Sequence, residues 1–330
     1  MTKKQTRRIG IIGLGSYLPK KVLTNSDLEK MVDTSDEWIR TRTGISERRI
    51  AEAGEATSDL AVHAARQALK DAKLAPEDVE LIIVATISPD MQFPATSCLV
   101  QVSLGANNAA CFDINAACSG FIHGIIIAQQ FIANGSYNNA LVIGAELLSH
   151  FIDWKDRSTC VLFGDGAGAA VIAPVKSGGI ISSYIGADGT KSDLLKVPAG
   201  GSRMPATHKT VSEGLHYLKM EGNEVFKHAV RVMADAAKQA LHKAGLTCKD
   251  VNCLIPHQAN IRIIEAAARR AGLSMDKVYV NVDRYGNMSA ASTIVALCEA
   301  VNEGRIKKGD IIVLVAFGSG FVWGSCVIKW

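Results

Sequence analysis

Ala64-Ala-Arg-Gln-Ala-Leu-Lys-Asp-Ala-Lys-Leu-Ala-Pro-Glu-Asp-Val79 returns later in the chain as Ala236-Ala-Lys-Gln-Ala-Leu-His-Lys-Ala-Gly-Leu-Thr-Cys-Lys-Asp-Val251. In both copies Ala and Leu recur at helical spacing and a polar loop follows, so each reads as an amphipathic helix. A short apolar run comes next, Leu81-Ile-Ile-Val84 in one copy and Cys253-Leu-Ile255 in the other, of a length and composition suited to a buried strand. Later segments echo in the same order: Asn139-Ala-Leu-Val-Ile-Gly-Ala145 with Asp310-Ile-Ile-Val-Leu-Val-Ala316, and Ala170-Val-Ile172 with Cys326-Val-Ile328. The repeat divides the chain into two βα-rich halves, 1–176 and 177–330, joined between Pro174 and Gly179. Buried strands alternating with helices predict an α/β fold of mixed, mostly parallel sheets covered by helices. Functional loops then fall along the seam between the halves.

The bulk properties narrow the function classes. A chain of 330 residues, 48% apolar and 21% charged, has ample material for a globular core. The net charge of +4 comes without basic stripes and interleaved aromatics, which argues against nucleic acid. No stretch is long and apolar enough to span a bilayer: 121–133 is broken by His123, Gly124, Gln129 and Gln130, and 311–317 is too short. The basic start, Lys3-Lys-Gln-Thr-Arg-Arg8, resembles the head of an export signal. The apolar run behind it is broken by Gly10, Gly13 and Gly15 and ends at Pro19, so it reads as a strand and turn, and a cytoplasmic location is expected. Eight cysteines are scattered without a single C-x-x-C, so no metal is expected and most of them read as small buried hydrophobes.

Four segments carry chemistry. Asp113-Ile-Asn-Ala-Ala-Cys118-Ser-Gly-Phe-Ile122 runs from a strand through small residues into a helix. It sets a thiol at a helix head, where the dipole favours thiolate. In Ile255-Pro-His257-Gln258-Ala-Asn260 an imidazole follows the second copy of the buried strand, at the position Ala85 takes in the first. Asn287, in Tyr285-Gly-Asn287-Met-Ser-Ala-Ala-Ser292, stands as far before Gly304 as Cys118 stands before Gly135. The duplication therefore places the amide at the head of the equivalent helix, facing the thiol across one cavity with His257 beside them. Phe317-Gly-Ser-Gly320-Phe321 allows close backbone approach and can present N–H groups to an oxyanion. Two further glycine clusters read as structural. Gly10-Ile-Ile-Gly13-Leu-Gly15 lacks dinucleotide spacing, and Gly164-Asp-Gly-Ala-Gly168 lacks the Lys and Ser/Thr of a phosphate loop, so the latter reads as a turn feeding a strand at 169–172.

Together, Ala-Ala-Cys118-Ser-Gly-Phe, Pro-His257-Gln-Ala-Asn and Gly-Asn287-x-Ser-Ala-Ala-Ser, in this order and spacing, resemble the 3-oxoacyl-[acyl-carrier-protein] synthase III family. Asp36-Glu-Trp38-Ile-x-x-Arg42-Thr-Gly-Ile45 and Gly164-Asp-Gly-Ala-Gly168 extend the likeness over essentially the whole chain. The resemblance implies a five-layered α-β-α-β-α thiolase-like fold and a homodimer. It implies a Cys118–His257–Asn287 triad, an oxyanion hole from the N–H groups of Cys118 and Gly320, and no cofactor. Acyl-CoA and a malonyl-loaded acyl carrier protein are the implied substrates. Trp38, Arg42, Arg157 and Asn260 are the implied CoA contacts, with the Trp38 ring on adenine, and Phe93 matches a residue that enters the partner subunit's acyl pocket. The carrier is acidic in this family, so the segment after the histidine (Gln258, Ala259, Asn260, Ile261, Arg262 and, two helical turns on, Arg269) is expected to dock it. The chain departs from the family pattern at Ser319, Met288 and Ile294, where Gly, Thr and Pro are usual.

Three other readings have to be weighed. A papain-like protease shares the Cys, His, Asn order, but its cysteine lies in a different motif near the mature N-terminus. A polyketide or 3-hydroxy-3-methylglutaryl synthase would share the fold. A non-catalytic acyl-CoA or carrier-binding subunit would not need Cys118, His257 and Asn287 together.

Overall fold

The computed structural model of the protein describes residues 7–330, so Lys3 to Thr6 of the basic start lie outside the described residues. The first half runs β1 (Ile9–Tyr17), α1 (Asp36–Thr43), α2 (Thr57–Ala72), β2 (Leu81–Ala85), α3 (Thr96–Leu104), β3 (Ala110–Ile114), α4 (Gly120–Ala133), β4 (Ala140–Glu146) and β5 (Gly166–Pro174). The second runs β6 (Gly179–Ala187), α5 (Gly222–Lys243), β7 (Cys253–Pro256), α6 (Ile261–Ala271), α7 (Ala290–Asn302), β8 (Ile311–Gly318) and β9 (Val322–Lys329). The two copies of the repeated segment form α2 and α5 and the loops after them.

One sheet has the order β1-β5-β4-β2-β3 and the other β6-β9-β8-β7, so the strand order is the same in both halves. The second sheet's counterpart of β3 is reduced to a single parallel bridge between Leu254 and Val278. Both sheets are mixed, but neither is mostly parallel. Parallel pairing joins β2 to β3 and β4, and β7 to β8; β5 and β9 each pair antiparallel with both neighbours. Crossover helices impose parallel pairing only on the middle of each half, and the strands by which the chain enters and leaves return against it.

Five layers result. On the first sheet α2 covers β1, β5 and β4, and on the second α5 covers β6, β8 and β9, with α6 beside it. Between the sheets lie α4 and α7, each touching both. Their sequences explain the placement. Phe121, Ile122, Ile125, Ala128 and Ile132 of α4 are buried, and α7 is buried from Ala290 to Cys298. A helix apolar on most sides belongs in an interior. Close approach needs small residues: a Cβ on Gly144 would lie 2.5 Å from the Ala290 carbonyl oxygen, and one on Gly13 would lie 2.5 Å from that of Ala68 in α2. Gly13 thus serves helix packing on β1, and the first glycine cluster is structural. The second cluster enters its strand earlier than expected, since β5 begins at Gly166.

Two departures from the family pattern are accommodated in the core. Ile294 packs on Gly168, and Met288, fully buried, rests on Gly166. Ser319 donates its hydroxyl to the Leu195 carbonyl.

Candidate active site

One cavity of about 340 Å³ is lined by Cys118, His257 and Asn287 together, with Trp38, Arg42, Asn260 and Arg262 in its walls. The duplication builds it. Cys118 lies in the 3-10 turn Ala117–Ser119 ahead of α4, and Asn287 lies just ahead of α7. The residue before each has a positive φ, 44° at Ala117 and 65° at Gly286, so each side chain is delivered by a sharp turn ahead of its helix. His257 follows the last residue of β7, and its N–H donates to the Val315 carbonyl in β8 at 2.7 Å.

The environment sets the protonation states. Burial pushes the Cys118 thiol up to about 12, and the Glu146 carboxyl adds to the shift. The expected stabilisation of thiolate at the helix head is therefore outweighed: in this low-dielectric pocket the charged form loses more by desolvation than the dipole returns. Burial likewise pushes His257 down to about 3, so its imidazole is neutral at neutral pH, and its Nδ1 has no hydrogen-bond partner. The Asn287 backbone is held on both sides, its N–H donating to Leu162 O at 2.8 Å and its carbonyl accepting from Gly164 N–H at 3.1 Å. The Gly164 cluster thus clamps Asn287, a role its sequence does not signal.

A second buried group was not legible in the sequence. Glu146 ends the otherwise apolar β4. It accepts from Ser88 Oγ at 2.6 Å, Thr86 Oγ1 at 3.2 Å, Ile87 N–H at 3.1 Å and Ala290 N–H at 3.3 Å. It ties the ends of β2 and β4 to the head of α7, and burial pushes it up to about 7. Between it and the thiol stands Ser289, whose hydroxyl is near enough to favour thiolate yet makes no well-formed hydrogen bond of its own.

The remaining expected residues divide. Arg157 lies over the Trp38 ring, its guanidinium carbon 5.0 Å from the centroid, and donates to Asp33 O at 2.8 Å. Asn260 caps α6 by accepting from Ile263 N–H. Phe93 is 83% exposed. Arg262 and Arg269 lie on the exposed face of α6, Arg262 over the Phe226 ring, while Ala259 lines the cavity. One expectation needs correction. Gln258 cannot dock a partner: it is fully buried, donating to Pro256 O and Tyr279 O and accepting from the N–H groups of Asn281 and Val282. Ile261 packs against Gly44 at the end of α1. Gly318 of the glycine loop lines the cavity, and the end of β8 lies directly against the Cys118 backbone.

The model of 3-oxoacyl-[acyl-carrier-protein (ACP)] synthase III matches residues 112–189, and that of its C-terminal part matches residues 241–330. A beta-ketoacyl-[acyl-carrier-protein] synthase III from Caldanaerobacter subterraneus subsp. tengcongensis is 65% identical over 322 residues, 97% of either chain. One from Clostridioides difficile is 59% identical over 323 residues, 98% of either chain. The solved 3-oxoacyl-[acyl-carrier-protein] synthase III of Aquifex aeolicus superposes with a TM-score of 0.90 at 49% identity, covering 98% of this chain and 100% of the other. The priming beta-ketosynthase of the R1128 polyketide pathway has a TM-score of 0.91 at 36% identity, covering 100% of this chain and 98% of the other. Alike in sequence over almost its whole length and in fold from end to end, the chain belongs to the 3-oxoacyl-[acyl-carrier-protein] synthase III family.

Proposed function

We propose that the protein condenses the acyl group of an acyl-CoA with malonyl-[acyl-carrier protein], giving 3-oxoacyl-carrier protein, CoA and CO2, as the initiating step of type II fatty-acid synthesis in the cytoplasm. The observation that carries this reading is the convergence of Cys118, His257 and Asn287 on one cavity with Trp38 and Arg42 in its wall. The half 1–176 supplies the thiol, and the half 177–330 supplies the imidazole and the amide.

The chemistry has two stages. The buried thiol needs a base as it attacks the thioester, and the neutral His257 is the group in the cavity able to take the proton. The Cys118 N–H holds the oxyanion, CoA leaves as a thiol with the proton returned by His257, and the acyl group stays on sulfur. Malonyl-carrier protein then enters. Loss of CO2 leaves an enolate, and its oxygen takes N–H donors from His257 and Asn287. The enolate carbon attacks the acyl-Cys118 carbonyl, and the 3-oxoacyl product departs with sulfur reprotonated. Every step is redox-neutral and asks for neither metal nor cofactor. Arg157 and Trp38 hold the adenine end of CoA, and Arg262 and Arg269 meet the acidic carrier. Phe93, so widely exposed, is covered by the second subunit of a homodimer.

The test is to mix the protein with acyl-CoA and malonyl-carrier protein and follow CO2 and 3-oxoacyl-carrier protein. Both should appear in equal amounts and depend on Cys118. Repeated extension to a polyketide product, or hydrolysis of the acyl-CoA alone, would displace this reading.

A further inference from the structure

Ser289 stands apart in its backbone, its hydroxyl and its place in the site. Its φ and ψ are 42° and −119°, a combination that L side chains rarely adopt. Among the described residues Lys73 and Ala117 are the other non-glycines with positive φ; Lys73 ends α2, and Ala117 stands directly before Cys118. The Ser289 hydroxyl is buried and has no hydrogen-bond partner. An unpaired buried hydroxyl and a rare backbone conformation both cost stability, and such costs gather at functional sites. The residue also joins the parts of the site. Its N–H donates to Asn287 Oδ1 at 2.8 Å, and the head of α7, which it precedes, packs against the turn that holds Cys118. Its hydroxyl is within reach of the Cys118 thiol and of the Glu146 carboxyl. That carboxyl has room for it. Oε2 accepts from Thr86, Ile87 and Ser88, whereas Oε1 accepts only the Ala290 N–H, at 3.3 Å.

We propose, resting on Cys118 as the acyl carrier, that Ser289 is a catalytic residue whose hydroxyl donates to the Cys118 sulfur whenever that sulfur is a thiolate, and that Glu146 is a positioning residue that holds the hydroxyl at other times. One O–H faces two acceptors, and the stronger acceptor takes it. A protonated or acylated sulfur accepts poorly, so the O–H then rests on Glu146 Oε1. As the thioester is attacked, the thiol proton passes to His257 and the Ser289 O–H turns to the sulfur. It turns back once the S–C bond has formed. Condensation breaks that bond and expels thiolate, which meets the same donor before it is reprotonated. Ser289 keeps its own proton throughout, so no bond to it is made or broken. A donor already desolvated and aimed at the sulfur offsets part of what burial takes from the thiolate.

The test uses Ser289→Ala, which keeps the N–H that orients Asn287. Ser289→Gly also keeps it, suits the positive φ, and serves if the alanine variant does not fold. Alkylation of Cys118 by iodoacetamide at one fixed pH, read by mass spectrometry of its peptide, reports the thiolate without any acyl chemistry. It should slow by about tenfold, as for loss of one hydrogen bond to a charged group. Acylation by acyl-CoA, read as a single-turnover burst, should slow by the same factor while the Kd for CoA holds. Glu146→Gln sets an NH2 group where Oε1 was, so the Ser289 oxygen accepts there and its proton is free for the sulfur. Alkylation should then quicken, and should quicken less in the double variant with Ser289→Ala. Unchanged alkylation in the Ser289 variants, or slower acylation without slower alkylation, would overturn the donor role. An equal effect of Glu146→Gln with and without the hydroxyl would overturn the positioning role. Alkylation of Cys118 without acylation in the unmutated protein would count against Cys118 as acyl carrier, and the alkylation comparison would still decide whether Ser289 serves its sulfur.

Discussion

The Asn287 side-chain oxygen accepts the Ser289 N–H at 2.8 Å, which fixes the orientation of the amide. Its NH2 group is then the end left without a protein acceptor among the described residues, in a side chain that lines the same cavity as Cys118. The site therefore presents a donor at this position, suited to an oxygen that gains charge.

Asn287→Asp removes that donor at nearly constant volume. Decarboxylative condensation should fall by about 10²-fold or more, the usual loss for an oxyanion donor. Acylation of Cys118 by acyl-CoA should fall much less, because the amide is assigned to the second stage. Burst measurements of the acyl-enzyme beside steady-state turnover separate the two; equal losses in both would remove the division of labour.

Glu146 predicts a pH signature in stability. Its carboxyl is held at about 7 in the folded protein against an ordinary 4.5, so between those values the native state holds the extra proton. Stability from this group is therefore full below pH 4.5 and is lost as pH rises toward 7. Glu146→Gln removes the loss. Its stability relative to the parent should rise with pH across this window by about 1.4 kcal/mol per unit at most, read from urea melts at several pH values. His257, depressed to about 3, works in the opposite sense, its contribution being full above 6.5 and lost as pH falls toward 3. The two slopes oppose one another in the parent between pH 4.5 and 6.5. A pH-independent difference between Glu146→Gln and the parent would show that the carboxyl is not held protonated.

Trp38→Ala should raise the KM for acyl-CoA about tenfold, since stacking on an aromatic ring is worth roughly 1–3 kcal/mol. An acyl thioester of pantetheine, which has no adenine, should be used equally well by parent and variant. The same loss with both substrates would remove adenine as what the ring recognises.

Arg262→Glu should lower kcat/KM for malonyl-carrier protein, and Arg269→Glu, two turns further along α6, should do so more weakly. The attraction acts on association and is screened by salt, so raising ionic strength in the unmutated protein should reproduce the loss while leaving acylation by acyl-CoA intact. Silent charge reversals at low salt would move the docking surface elsewhere.

What the sequence made legible follows from what it repeats. The paired helices, the buried strands after them and the matched distances Cys118 to Gly135 and Asn287 to Gly304 put thiol and amide ahead of equivalent helices. Features that depend on contacts between distant segments left no such trace. Gln258 looked like part of a docking segment because it follows the histidine, yet it is a buried clamp on residues 281 and 282. Glu146 is a single acidic residue after an apolar run, and only the meeting of β2, β4 and α7 gives its carboxyl four donors. The helix dipole at Cys118 was readable, but the depth of burial that outweighs it was not.

The central claim is that Cys118 carries the acyl group. Protein mixed with acyl-CoA alone, quenched in acid and weighed intact, should gain the mass of one acyl group per chain, and peptide mapping should place it on Cys118. The adduct should disappear on adding malonyl-carrier protein, and Cys118→Ser should gain nothing. An acyl group found on another residue, or acquired equally by Cys118→Ser, would contradict the account.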